Sequence, residues 1–174
     1  MLVHGYNHLN RMKKLLLIII LISAAGKLFA QNLPPFDQYK FVNNADYKSA
    51  DTAVLQTVNF LLSTPIDQNI PARLKAGQFV MRWMEGTPDY TFSLEQNAIK
   101  YLSGNVDLML LYMTSMAKYA LENKSNDVKV TTINGVKILL TYVDNPVNNV
   151  KKDKNLKKLS DANDKGKLDD FLNL

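Results

Sequence analysis

Residues 106–113 are apolar at every position except Asp107, and apolar spacing continues through Met116, Ala117, Ala120 and Leu121. A helix that is hydrophobic around its whole circumference has no face to offer to water, so other elements must enclose it. This stretch therefore predicts a central helix and obliges the rest of the chain to wrap it. The chain has the means: 47% of its 174 residues are hydrophobic and 21% are charged. That balance lies in the globular range, and the length suits one domain.

The enclosing elements are legible from caps and breakers. Ser49 or Asp51 is the expected cap of a first helix running to about Ser63, with Ala50, Val54, Val58 and Leu61 on one stripe and Thr64-Pro65 ending it. A second helix is expected from about Asn69, because Pro71 suits a first turn, where its missing N–H has no helical partner anyway. Leu74, Met81 and Met84, with Phe79, Val80 and Trp83 beside them, give it a broad apolar face. After Gly86-Thr87-Pro88-Asp89, Ser93 and Gln96 form a capping-box pattern that predicts a third helix, and Gly104-Asn105 separates it from the central one. A last helix turns Leu156, Leu159 and Ala162 inward, is interrupted near Gly166, and is followed by Leu168, Phe171 and Leu172.

Residues 128–143 admit two readings. Asn134-Gly135 between Val128/Val130/Thr132 and Val136/Ile138/Leu140/Tyr142 is a hairpin pattern. Ile133, Val136, Leu140 and Val143 fit helical spacing, and an isolated hairpin would need a sheet that nothing else supplies. Helix is preferred. The expected fold is thus all-α, with five to six short helices in an irregular bundle or in stacked, tetratricopeptide-like hairpins; the alternative is α+β with a hairpin at 128–143. Ahead of the helical domain, residues 31–48 carry Pro34-Pro35 and then Phe36, Tyr39, Phe41 and Tyr47 without a helical period. They read as an extended arm whose aromatics cover the core.

Residues 1–30 read as a leader rather than as part of the fold. Met12-Lys13-Lys14 is a basic start, residues 15–25 are an unbroken run of apolar and small side chains, and Leu28-Phe29-Ala30 supplies a cleavage site ahead of Gln31. The run is shorter than the roughly 20 residues a membrane span needs, so no integral membrane segment is expected after cleavage. Met12 is the expected true start. Periplasmic or secreted localisation follows. Arg11, Lys13, Lys14 and Lys27 leave with the leader and no acid does, so the formal net charge of +5 falls to +1. Nothing in that balance, or in export, favours a nucleic acid partner.

Both histidines, His4 and His8, lie in the leader, and the chain has no cysteine. Ser-His-Asp and Cys-His catalysis and His- or Cys-ligated zinc are thereby removed from the mature domain, and no cofactor or metal is expected. The seven glycines form no phosphate-binding loop. Two acids flanking a bond would suffice for glycan hydrolysis, and Glu85, Asp89, Glu95 and Asp107 are the candidates, although helix dipoles attract acids to such positions without catalysis. Lys151, Lys152, Lys154, Lys157 and Lys158 form a basic cluster, offset by Asp153, Asp161 and Asp164, and read as solvated surface. The segment from Asp161 to Gly166 lacks the acidic spacing of a calcium loop.

Residues 82–90 are the most distinctive stretch, joining the only tryptophan, Trp83, to Arg82 and a tight turn. Arg82, Trp83, Asp89 and Tyr90 are the candidate partner-binding residues, because Trp, Tyr and Arg are enriched where partners dock. A tryptophan on an amphipathic helix beside methionines is, however, more often core. The Lys-Lys leader ending in Phe-Ala-Gln, the Trp83-Met84 pair with the Thr87-Pro88-Asp89-Tyr90 turn, and the tail through Asn148-Asn149-Val150-Lys151 to Lys157-Lys158-Leu159 together resemble small exported helical proteins of unknown function from Gram-negative bacteria. That resemblance implies export and a helical fold and brings no activity with it. The expected function is a non-enzymatic domain that binds a protein or peptide partner in the cell envelope through a groove between helices. The alternative is a carboxylate-dependent hydrolase acting on a glycan.

Overall fold

In the computed structural model, which describes residues 33–174, the first helix, α1 (Asn44–Ser63), begins five residues before the expected cap at Ser49. The actual cap is Asn43. Its side chain accepts from the Asp46 amide, and the Asp46 carboxylate in turn accepts from the amides of Asn43, at 3.1 Å, and Val42, at 2.8 Å. These two backbone donors hold the Asp46 carboxyl below its ordinary pKa. Asn-x-x-Asp does the work of the more familiar Ser-x-x-Glu box, and Ser49 becomes an interior residue whose hydroxyl donates to the Asp46 carbonyl. The leader and signal assigned to residues 1–30 lie outside the described residues.

Helix α2 (Ile70–Gly86) starts where expected, with Pro71 in its first turn. The third helix is far shorter than its capping pattern implied. Only one turn forms, α3 (Gln96–Ile99), because the Ser93 hydroxyl donates to the Glu95 carboxylate at 2.7 Å instead of capping the helix, and turns follow as far as Gly104. Asn105 then caps α4 (Val106–Asn123) by accepting from the Leu108 amide. Asp127 caps α5 (Val128–Asp144) in the same way. Asp153 caps α6 (Lys154–Asp164), and α7 (Leu168–Leu172) follows the break at Gly166. With 3₁₀ turns at Phe36–Gln38 and Pro146–Asn148, the described residues hold seven α-helices and no strand. The fold is all-α and bundle-like, and the hairpin alternative at 128–143 is overturned.

Gly135 explains why Asn134-Gly135 is not a turn. A Cβ at Gly135 would lie 2.6 Å from Met116 Cγ and 3.3 Å from the Met116 backbone N and Cα, so α5 and α4 approach more closely there than any side chain would allow. Asn134 donates to the Val130 carbonyl within the helix. The glycine serves interhelical contact rather than chain reversal, which outweighs the roughly 1 kcal/mol it costs in a helix interior relative to alanine.

Helix α4 packs against α5, α1 and α2, as its all-round apolar sequence requires. It is shared by two hydrophobic clusters. Leu111, Tyr112 and Met116 join α5, α6 and α7 through Val136, Leu140, Leu159 and Leu168, while Ala117 joins α1 and α2 through Val54, Val58, Val80 and Trp83. The arm closes the second cluster: Phe36, Tyr39 and Phe41 place their rings 4.8, 5.2 and 5.6 Å from that of Phe79.

Arg73, 4% exposed, ties the two halves together without a carboxylate. Its Nη1 donates to the carbonyls of Leu61, at 2.9 Å, and Thr64, at 2.8 Å, at the negative end of α1. Tyr142 on α5 donates its hydroxyl to the same Thr64 carbonyl at 2.9 Å.

Substitution of Gly135 should expose the α4–α5 constraint. Gly135→Val is expected to lower unfolding stability by about 2–3 kcal/mol, because the Met116 backbone must retreat. Gly77→Ala on α2, whose nearest neighbour is the movable end of Leu110, is expected to cost less than about 1 kcal/mol. Urea titration of both variants checks this; equal losses would contradict it.

Candidate functional site

The four sequence candidates do not share one surface. Trp83 is fully buried: its indole N–H donates to the Tyr47 carbonyl at 3.3 Å, and its ring lies 5.7 Å from Tyr90 and 5.9 Å from Phe92. It is therefore a packing residue and offers nothing to a partner. The reason is helical phase, since the same face of α2 carries Phe79 and Val80 into the core. Tyr90 is half-buried against Trp83, and burial raises its phenol pKa. Asp89 is exposed and pairs with Lys48 at 2.8 Å, and Lys48 also reaches Asp51 at 3.3 Å. These carboxylates hold the Lys48 ammonium well above its ordinary pKa.

Arg82 is exposed and sits elsewhere. One residue from Trp83, it is turned about 100° around the helix. Its guanidinium donates to the Tyr39 carbonyl at 3.4 Å and lies over the Phe41 ring, 5.3 Å from the centroid.

Beside Arg82 opens a groove of about 740 Å³ between α2 and α4. Helix α2 contributes Leu74, Gly77, Gln78, Met81 and Arg82; helix α4 contributes Val106, Met109, Leu110 and Met113; the turn at Leu102, Ser103, Gly104 and Asn105 closes one end. Within this lining Gly77 presents no side chain and Leu110 settles against it. Its lining is predominantly apolar, Leu74 and Val106 stand 60% and 86% exposed at its edge, and Arg82 is its one charged residue. Three methionines supply flexible, polarisable walls that can adapt to differently shaped apolar occupants.

The groove was not named from the sequence, although both of its walls were. Leu74 and Met81 belonged to the broad face of the second helix, and residues 106–113 to the all-round apolar run. What the sequence concealed is that no further helix covers this half of α4 among the described residues.

The candidate acids are not part of its lining. None of Glu85, Asp89, Glu95 and Asp107 lines the groove; Asp89 is paired with Lys48, and Glu95 accepts from Ser93. Among the described residues no three His, Cys, Asp or Glu side chains are grouped to hold a metal ion. No described helix is long and apolar enough to cross a membrane. Of the basic cluster, Lys151, Lys154, Lys157 and Lys158 are exposed, while Lys152 pairs with Asp144. No protein-family model matches the chain, and no curated protein or solved structure is significantly similar to it.

Tyr112, on α4, is fully buried and its hydroxyl lacks a well-formed hydrogen bond among the described residues. Burial pushes its pKa up to about 12. The folded protein thus holds this proton more tightly than the unfolded chain. The associated stability is complete below about pH 10 and is lost up to about pH 12, at about 1.4 kcal/mol per pH unit. Tyr112→Phe should flatten that alkaline loss in denaturant titrations at pH 9–11.5. At pH 7 it should cost less than about 1 kcal/mol, since it removes a buried group that is poorly paired. A steep alkaline loss that survives in the variant would contradict the assignment.

Proposed function

We propose that this protein is an exported, non-enzymatic helical domain that binds a protein or peptide partner in the cell envelope through the groove between α2 and α4. The observation supporting it is the groove itself: an open, methionine-walled apolar channel flanked by exposed Leu74 and Val106, a contiguous apolar surface of the kind that marks interaction sites. Leu74 to Arg82 covers about 12 Å of helix axis, room for about two turns of an apposed helix or three to four residues of an extended segment. We read α1–α2 and α4–α5 as helical hairpins, the layout from which tetratricopeptide-like domains build such grooves. Export rests on the basic start and apolar run of residues 12–30.

A photo-crosslinking side chain placed at Met109 is expected to form a defined adduct in the envelope fraction of intact cells. The same group at exposed Lys137, on α5, should not. Met113→Asp in the Met109-labelled protein should abolish the adduct without unfolding the domain. Equal labelling from both positions, or none from Met109, would refute the reading.

A further inference from the structure

The Arg82 side chain is positioned by the arm. Phe41 adopts a left-handed backbone with φ of 53°, a conformation costly for a bulky residue and tolerated only where its surroundings impose it. Here the surroundings do so. The Phe41 ring stacks on Tyr47 at 4.9 Å and leans on Phe79, and the Tyr47 hydroxyl donates to the Phe41 carbonyl at 3.3 Å. The face of that ring is the platform beneath the Arg82 guanidinium, and the Tyr39 carbonyl beside it accepts one of its N–H groups. A strained arm thus holds the one charge that lines the groove.

That charge forms no salt bridge among the described residues. Among the described residues no carboxylate pairs with Arg82, and no carboxylate lines the groove. Lys75, one and two turns back on the same helix as Gln78 and Arg82, lines the adjoining depression together with them and with Asp37, so the charges there are mixed and Arg82 is the one charge that the groove itself presents. A guanidinium keeps most of its donors free when it makes one long contact to a carbonyl, and its fork geometry matches a carboxylate.

We infer that the occupant of the groove is an acidic amphipathic segment, a two-turn apolar stripe flanked by a carboxylate that docks on Arg82. This rests on the peptide-binding reading above and adds the sign of the partner's charge. The open form of the groove favours a polypeptide over a free fatty acid, whose tail needs enclosure to leave water.

Two synthetic helical peptides, alike in a leucine stripe at i, i+3 and i+7 and differing only in glutamate or lysine beside it, test this against the full chain, with sodium dodecanoate as the lipid probe. Fluorescence anisotropy should show the glutamate peptide binding about ten-fold more tightly than the lysine peptide. Arg82→Gln should remove that preference and leave the residual affinity, while Met109→Asp should abolish binding of both. Equal affinity for the two peptides, or tighter binding of the lysine peptide, overturns the charge inference and leaves the groove reading standing. Failure of both peptides to bind overturns the two readings together. Saturable dodecanoate binding without peptide binding assigns the groove to lipid and contradicts the inference.

Discussion

The close approach of α5 to α4 at Gly135 and Met116 sets the register for everything packed around α4. Without a Cβ at Gly135 the two helices meet backbone to side chain, and the row through Val136, Leu139, Leu140 and Val143 then lies against Leu111 and Met116. Interhelical distance is decided by the smallest residue at the crossing, because interiors are packed too densely to absorb a misfit elsewhere. On the opposite flank α1 and α2 receive Ala117, a second small residue, which brings α4 close to the Val54, Val58 and Trp83 cluster. Small residues on both flanks let one helix serve two hydrophobic clusters. The buried Arg73, clasped by the carbonyls of Leu61 and Thr64 and sharing the latter with Tyr142, fastens the α1–α2 turn to α5 at the rim of this arrangement.

The groove is a consequence of the same geometry. Helix α4 is enclosed along Leu111, Tyr112, Met116, Ala117 and Ala120, whereas Val106, Met109 and Met113 line the open groove beside α2. Its sequence is apolar all round, so an incompletely enclosed first half presents apolar surface to solvent. A protein that needed only to fold would gain by placing polar residues there, as it does at Asn123 and Lys124 at the other end.

Much of this was legible in the sequence, for physical reasons that differ from element to element. The central position of α4 followed from its composition, the start of α2 from Pro71, and the break between α6 and α7 from Gly166. Helical spacing at Ile133, Val136, Leu140 and Val143 outweighed a strong hairpin dipeptide, because a hairpin has nowhere to pair in a chain without other strands. The misreadings were local. The capping box of α1 is written with Asn43 and Asp46 rather than at Ser49, and Ser93 donates its hydroxyl to Glu95, two residues away, rather than to a helix. Periodicity names the buried face of a helix but not the neighbour that fails to cover it, so Trp83 stood out while the groove lined by Met81, Met109 and Met113 did not. Arg82 alone among the four candidate residues lines that groove, by its phase on α2, while the contact that no sequence pattern carries is the strained turn at Phe41 beneath its guanidinium.

The central claim is that one half of α4 is sealed and the other half stands open beside Arg82. Methionine methyl NMR of the protein, with a soluble nitroxide added to broaden whatever it can reach, tests this most directly. The account predicts strong broadening of Met81, Met109 and Met113 and none of Met116, which is 1% exposed against Gly135. Protection of Met109 and Met113 to the same degree as Met116 would contradict it, because the groove on which the proposed binding role depends would then be closed.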